Sequence, residues 1–401
     1  MERMVETVAD SDWQSMQHFL SQSPWEHLPL QEQIAKDCDR LLGGSPNAGL
    51  IFDETSIPKK GKMSVGVARQ WCGRLGKTDN CQTAVFGALS MGPHVALIDE
   101  RLYLPKKWTD NKERCKTAGV PDTIEFKTKS QLVLDMVRNA RAQRIRFAWV
   151  GVDGGYGKEP AFLGALEDDG EIFMADVHKD QSIYLEDPAP YLPKKTGRGR
   201  TPTRLVAAAK SVRVDKWVAE QPGESWQHIA VRESTKGWLQ ADFLTCRVWT
   251  WDQSENKGRL LHLIVRREIA AKEEIKYSLS NAPEGTSIDR LAFMQGQRFF
   301  VERAFQDAKS NVGLGHYQVR GWKAWHHHMT MIMLAMLYML ETRLANKRSH
   351  PLLSCADIFK LLSHFLPRKD ITKAEVLRQM QTRHRQRQAA IDFAYAKQRS
   401  G

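Results

Sequence analysis

The chain lacks the marks of an exported or membrane-spanning protein. Its first residues, MERMVETVADSDW, contain no apolar signal core. The most apolar run, Met329–Leu340, covers only about 12 residues, where a bilayer crossing needs roughly 20. It reads as a buried helix. Cysteine is scarce and scattered: Cys38, Cys72, Cys81, Cys115, Cys246 and Cys355 form no CxxC pair and no Cys/His cluster. That argues against a disulfide framework and a structural zinc site, and reduced cytosolic thiols are the simple reading. No internal repeat is present. Acidic charge also falls short, with 47 Asp and Glu against 59 Lys and Arg. The resulting +12 net charge, with a pI near 9.4, favours a polyanionic partner. Nucleic acid is the default, although a solvated basic surface gives the same balance.

What is present is ample for a core: 401 residues, 42% of them hydrophobic, allow two or three domains. Residues 1–45 read as helical. Trp13, Met16, Phe19 and Leu20 recur at helical spacing, and PLQEQIAKDCDRLLGG gives a second helix stopped by Gly43–Gly44. The two are either a small DNA-binding bundle or a packing arm. AGLIFDETS (48–56) reads as a short buried strand ending in polar residues. SVGVARQWCGRLG and NCQTAVFGALSM follow as two strands joined by a Gly/Asn turn, and HVALIDERLYL as a fourth, ended by Pro105. An amphipathic helix over 126–142 precedes the apolar run 145–153, which stops at Asp153. EPAFLGALEDDG is then a helix and EIFMADV a strand.

This order predicts a mixed α/β sheet with helices packed on it. Asp53 and Asp153 would each end a buried strand, at the edge where ligand chemistry collects in open α/β sheets. Other acidic pairs, Asp99–Glu100 and Asp168–Asp169, read as turn or helix-end residues. Residues 186–214 are Pro/Gly-rich and basic, with Lys194, Lys195, Arg198, Arg200 and Arg204 crowded together. They form a surface loop or a set of phosphate contacts. Strand-like segments over 226–280 make a β-rich insertion carrying Trp238, Trp249 and Trp251, which are core residues or base-stacking platforms.

Residues 288–312 read as one helix. Arg298, Glu302 and Lys309 fall within about 40° of one another on it, opposite a stripe of Phe293, Phe300, Ala304 and Ala308. A carboxylate between two cations suits a place where a metal meets phosphates. The plainer reading is an Arg–Glu i,i+4 pair on a surface helix. His326, His327 and His328 are a metal tract or, the preferred reading, helix-start or phosphate contacts. The remainder is helical and basic, with Arg383, His384, Arg385 and Arg387 as a solvated face or auxiliary DNA contacts.

Three segments together resemble the DDE transposases of bacterial insertion sequences: DETSIPKKGKMSVGVARQWCGRLGKTDNCQTAV (53–85), VGVDGGYG (150–157) and RFFVERAFQDAKSNVGLGHYQVRGWKAWHHH (298–328). The resemblance is to the group with a ribonuclease-H-like core, a β-strand insertion and a Tyr-Arg-Glu-Lys signature on the last acidic helix. It covers roughly residues 10–345. The family's acidic residues fall on Asp53 (in Asp-x-Thr form with Thr55), Asp153 and Glu302. The signature's Arg and Lys fall on Arg298 and Lys309. Its Tyr, a DNA-end contact in relatives, falls on Gln295. Relatives also carry more helical sequence ahead of DWQSMQHFLSQSPW, so a shortened end-recognition part is expected.

The resemblance implies a catalytic core split between 46–180 and 287–346, a basic loop and insertion over 181–286, and helical ends at 1–45 and 347–401. It implies two Mg²⁺ ions, with Mn²⁺ able to substitute, held by Asp53, Asp153 and Glu302 with Asp153 bridging. Water would be the nucleophile for nicking and a DNA 3′-hydroxyl for strand transfer. Arg298 and Lys309, with Lys59 and Lys60 beside Asp53 and with Lys194, Lys195, Arg198 and Arg200, would hold DNA phosphates. The implied partner is double-stranded DNA, both inverted-repeat ends and target, gripped by a homodimer in the bacterial cytoplasm and its nucleoid. The alternative is a DNA-binding remnant or regulator without catalysis, suggested by the short N-terminus and Gln295.

Overall fold

The computed structural model describes residues 8–9, 11–195, 197–198, 200–234, 237–269, 274–367 and 370–399. The chain divides into two compact units, one of Glu26–Cys355 and one of Met1–Trp25 with Ala356–Gly401.

The larger unit is built on one mixed twelve-stranded sheet. Its first part comprises β1 (Gly49–Pro58), β2 (Ala68–Cys72), β3 (Lys77–Met91), β4 (His94–Leu102), β5 (Trp149–Val152) and β6 (Phe173–Val177). The insertion adds β7 (Ser182–Tyr184), β8 (Ser211–Arg213), β9 (Gln227–Ser234), β10 (Gly237–Thr250), β11 (Arg259–Glu268) and β12 (Ile275–Ser280). β4, β3 and β1 pair antiparallel; β5 then runs parallel to β1, and β6 parallel to β5. That order is the ribonuclease-H-like sheet the sequence led us to expect. The insertion is not a separate layer. β12 pairs antiparallel with β6, and β11, β10, β7 and β8 continue outward from it, with β9 beside β10.

The strands form where the chain is apolar on both faces. Leu50, Ile51 and Phe52 of β1 and Val150 and Val152 of β5 are buried. Gly49 is required there because a Cβ would stand 2.4 Å from the Trp149 ring. Helices α2 (His27–Leu42), α3 (Lys129–Ala142) and α4 (Pro160–Asp168) belong to the same unit as the sheet, whereas α1 (Trp13–Ser21) belongs to the smaller one. α3 starts on a capping box in which Thr128 and Gln131 satisfy each other's backbone N–H groups, and it buries Val133, Met136, Val137 and Ala140. α2 turns Ile34, Cys38 and Leu42 inward and packs on β4.

Residues 288–312 form two helices rather than one. α5 (Ile288–Gly296) and α6 (Arg298–Asn311) meet at the buried Gln297. The buried stripe of α6 is Val301, Ala304, Phe305 and Ala308, so Phe305 takes the place expected for Phe300. α7 (Trp322–Ala345) is the buried helix expected over the most apolar run.

Asp99 and Glu100 are not turn residues; they lie buried within β4. Glu100 is fully buried and accepts hydrogen bonds from Trp325 Nε1 (3.0 Å) and His326 Nδ1 (2.5 Å). His326 also stacks on His27, and His327 is fully buried, which removes both from any phosphate-contacting surface. All six cysteines are free thiols, and no helix among the described residues is long and apolar enough to cross a membrane.

In the smaller unit Asp12 caps α1, accepting from Ser15 N at 2.7 Å. α8 (Cys355–Phe365) begins at the boundary between units, and α9 (Lys373–Arg399) leaves Arg383, His384, Arg385 and Arg387 exposed.

Candidate functional site

The sheet sets two acidic residues side by side. The parallel register of β1 and β5 pairs Gly49 with Trp149 and Ile51 with Gly151. Carried two residues on, it brings Asp53 level with Asp153 and on the same face, on neighbouring strands spaced about 4.8 Å apart. Asp153 follows the last residue of β5 and is still extended, with φ −83° and ψ 176°. Its Oδ1 accepts from Gly155 N (2.8 Å) and Tyr156 N (3.3 Å), capping a short helical turn and fixing the side chain. Asp53 is not at a strand end, as its polar neighbours suggested. β1 runs on to Pro58 because it stays paired with β3 after β5 has turned away.

The third carboxylate arrives on α6. Arg298 opens that helix, and its guanidinium lies among the acids. Nη1 donates to Asp176 Oδ2 at 2.5 Å, while Nη2 stands 3.6 Å from Asp53 Oδ2 and 3.8 Å from Glu302 Oε1. Glu302 keeps 63% of its side chain exposed, whereas Asp53 keeps 16%. Burial lifts the Asp53 carboxyl to about 6; Arg298 opposes the lift, and the charges of Asp153 and Glu302 add to it. Although burial works against its charge, Asp176, Asp53 and Asp153 together hold the Arg298 guanidinium firmly protonated.

Asp176, on β6, escaped sequence reading, where EIFMADV gave only a strand. It is tied down from two sides: Ser278 Oγ of β12 donates to its Oδ1 at 2.7 Å, and Gln295 Nε2 donates to that Ser278 oxygen at 2.8 Å. Gln295, at the signature's Tyr position, is therefore a buried strut (6% exposed) rather than a surface contact.

The cations expected beside the acids divide into two groups. Lys59 is half-buried, donates to the Tyr317 carbonyl and lies 4.8 Å over the Tyr317 ring; burial lowers its ammonium to about 8. Lys309 sits one end of α6 away from Arg298, and burial, then the charge of Arg74, lowers it below the ordinary lysine value. Lys60 is exposed beside Lys59. Lys194, Lys195, Arg198 and Arg200 are exposed on a loop closed by the Tyr191–Val206 bridge, and none of the four touches the acidic trio among the described residues. Of the insertion's tryptophans, Trp238 is exposed while Trp249 and Trp251 are half-buried.

The donor set is all carboxylate oxygen, which suits a hard divalent cation. Asp53 lies within β1, Asp153 directly follows β5, and Glu302 faces solvent. Among the described residues no three acidic, His or Cys side chains stand close enough to hold an ion, and Arg298 occupies the ground between Asp53 and Glu302. A raised, crowded carboxyl such as Asp53 is nonetheless one that an added positive charge would bring to its ionised form.

Comparison with known proteins adds a family to this geometry. The chain is 29% identical over 185 residues to a probable transposase for insertion sequence element IS701 of Microchaete diplosiphon. That match takes in 45% of this chain and 45% of the relative, so the chain spans less than half the length of the curated relative it matches. A second comparison reaches further, with the profile described as DDE superfamily endonuclease matching residues 1–238, which include Asp53 and Asp153. On that match over more than half its length, the chain belongs to the DDE superfamily of endonucleases.

Proposed function

We propose that this protein is a transposase that cuts DNA at insertion-sequence ends and joins it to a target, with Asp53, Asp153 and Glu302 as its catalytic carboxylates. What supports the reading is that Arg298 of α6 stands 3.6 Å from Asp53 and 3.8 Å from Glu302, on a ribonuclease-H-like sheet whose β1 and β5 run parallel in a register that, carried on, aligns Asp53 with Asp153. Membership of the endonuclease superfamily and the likeness to a probable transposase support it. In this reading residues 46–180 and 287–346 form the catalytic core. Residues 181–286 are the insertion, and 1–45 and 347–401 are helical flanks. Its setting is the bacterial cytoplasm, on the nucleoid.

The residues that would hold divalent metal, Mg²⁺ or in its place Mn²⁺, are the three carboxylates. What two bound ions supply is activation of the attacking oxygen and charge stabilisation of the leaving one. The chain's own work is placement. Asp153 is fixed by its bonds to Gly155 N and Tyr156 N, and Asp53 by the β1–β3 ladder. Arg298, held by Asp176, and Lys309 at the far end of the helix would each take a backbone phosphate beside the cut. Lys59 and Lys60 extend the same cationic border, and Lys194, Lys195, Arg198 and Arg200 would grip the duplex further out. A homodimer would hold paired ends.

The test is cleavage of a duplex carrying the inverted repeats that flank the gene, in Mg²⁺ or Mn²⁺. The wild-type protein is expected to release cut product. Asp153→Ala should release none while still retarding the duplex in a gel. Equal cleavage by Asp153→Ala refutes the assignment. Retardation without product at any wild-type concentration, with either metal, would instead make the chain a DNA-binding remnant or regulator.

A further inference from the structure

The hairpin of β2 and β3 is not used by the chemistry above, yet its composition is unusual for a solvent-facing edge. β2 ends the sheet order. Arg69 and Trp71 alternate on its open face, while Cys72 on the other face is buried. Trp71 is 60% exposed and stands opposite Thr78 of β3, itself exposed. The tip is a 3₁₀ turn, Gly73–Leu75, followed by Gly76 in the left-handed conformation (φ 61°), and it presents Arg74 and a 43% exposed Leu75. Two large apolar side chains are thus held out by a short turn and flanked by Arg69, Arg74 and Lys77.

The hairpin is also continuous with the candidate site. A methyl added at Gly315, just beyond α6, would stand 3.5 Å from Arg74 Nη1, which fixes the tip beside the Lys309 end of that helix. At its base Asn80 Nδ2 donates to the carbonyls of Lys59 (2.6 Å) and Gly61 (2.9 Å), so the loop carrying Lys60 and Lys62 is tied to the hairpin. Between residues 59 and 80 the chain has six Lys and Arg and one acidic residue, Asp79, which pairs with Lys77 at 3.5 Å. A second copy of this chain docking edge to edge would bring like charges together. A polyanion with apolar edges does not meet that obstacle.

We infer that the β2–β3 hairpin is a DNA-gripping finger, with Arg69, Arg74 and Lys77 on backbone phosphates and Trp71 and Leu75 against sugars and base edges of a duplex leaving the catalytic edge. This rests on the proposed transposase reading and extends its DNA path to residues outside the acidic site. The aromatic and the leucine supply the apolar contact that groove-inserting side chains make with base steps. The cations supply the salt-dependent, sequence-tolerant part of the affinity.

The test measures affinity for a labelled random-sequence duplex of about 30 base pairs by fluorescence anisotropy across a salt series. The proteins compared are wild type, R69Q/R74Q/K77Q, Trp71→Ala and Trp71→Phe. The triple variant is expected to flatten the slope of log affinity against log salt by about 2 to 3, roughly one for each lost phosphate contact. Trp71→Ala should bind about tenfold more weakly, and Trp71→Phe close to wild type. All the altered side chains of the hairpin are exposed, so melting temperatures should hold. Wild-type binding with unchanged slope and affinity in both hairpin variants overturns the finger and leaves the transposase reading standing. Absence of duplex binding by the wild type overturns that reading and the finger with it. Loss of self-association in Trp71→Ala with DNA affinity intact would show a protein-docking edge and also overturns the inference.

Discussion

Replacing Asp53 with Asn should make the larger unit more stable while removing catalysis. Burial and neighbouring negative charge hold its carboxyl at about 6, against an ordinary 3.8. At about 1.4 kcal/mol per pH unit, that gap corresponds to about 3 kcal/mol of stability forgone when the group is ionised in both the folded and unfolded chain. The sign follows from which state holds the proton more tightly. Here the folded state does, so the penalty is absent below 3.8, grows as pH rises and is complete above 6. Asp53→Asn is therefore expected to gain about 3 kcal/mol at pH 7.5 and about half as much at pH 5. Arg298 keeps Asp176 as its direct partner in the variant, so no buried guanidinium is left alone. Urea unfolding followed by tryptophan fluorescence at the two pH values reads the difference. Millimolar Mg²⁺ should raise the wild-type midpoint and leave the variant's unmoved, because an ion that binds only the folded carboxylates stabilises by mass action. A variant less stable than wild type at pH 7.5, or a gain that does not shrink at pH 5, would refute the reasoning.

Other substitutions probe the surroundings. Gln295→Tyr, which restores the signature's residue, should not restore a DNA contact; it forces an aromatic ring into a buried strut and is expected to cost about 2 kcal/mol in chemical denaturation. Gly157→Ala places a Cβ 1.9 Å from the Asp176 carbonyl oxygen and should displace β6, lowering the melting temperature and the cleavage rate together. Glu100→Ala removes the acceptor shared by Trp325 and His326 inside the core and should cost about 3 kcal/mol, visible as an earlier urea midpoint.

The strands and helices were largely readable because apolar runs and Gly or Pro stops mark them locally. WVGV before Asp153 and the Thr128–Gln131 box before α3 are examples. What escaped depends on neighbours distant in sequence. DETS looked like the polar end of a strand, yet β3 supplies backbone partners as far as Pro58. Asp99 and Glu100 looked like a turn, yet buried donors from α2 and α7 hold them: Gln31 Nε2 bonds Asp99 at 2.9 Å, and Trp325 and His326 bond Glu100. The periodicity over 288–312 reads as one helix, but it does not register the junction at Gln297 between α5 and α6, which leaves the Arg298–Glu302 pair in place. Asp176 had no motif around it; only the pairing of β6 with β12 and the arrival of Arg298 give it a role.

The unbroken ladder from β1 out to β10 has a consequence for anyone recombining such proteins. Trimming the 181–286 segment to a short linker would strip β6 of the neighbour that pairs Asp176 with Ser278, baring an edge and freeing the counter-ion of Arg298. A graft from a relative would have to keep that one cross-strand alignment to the residue, since a slip of a single position would turn the serine hydroxyl to the opposite side of the sheet.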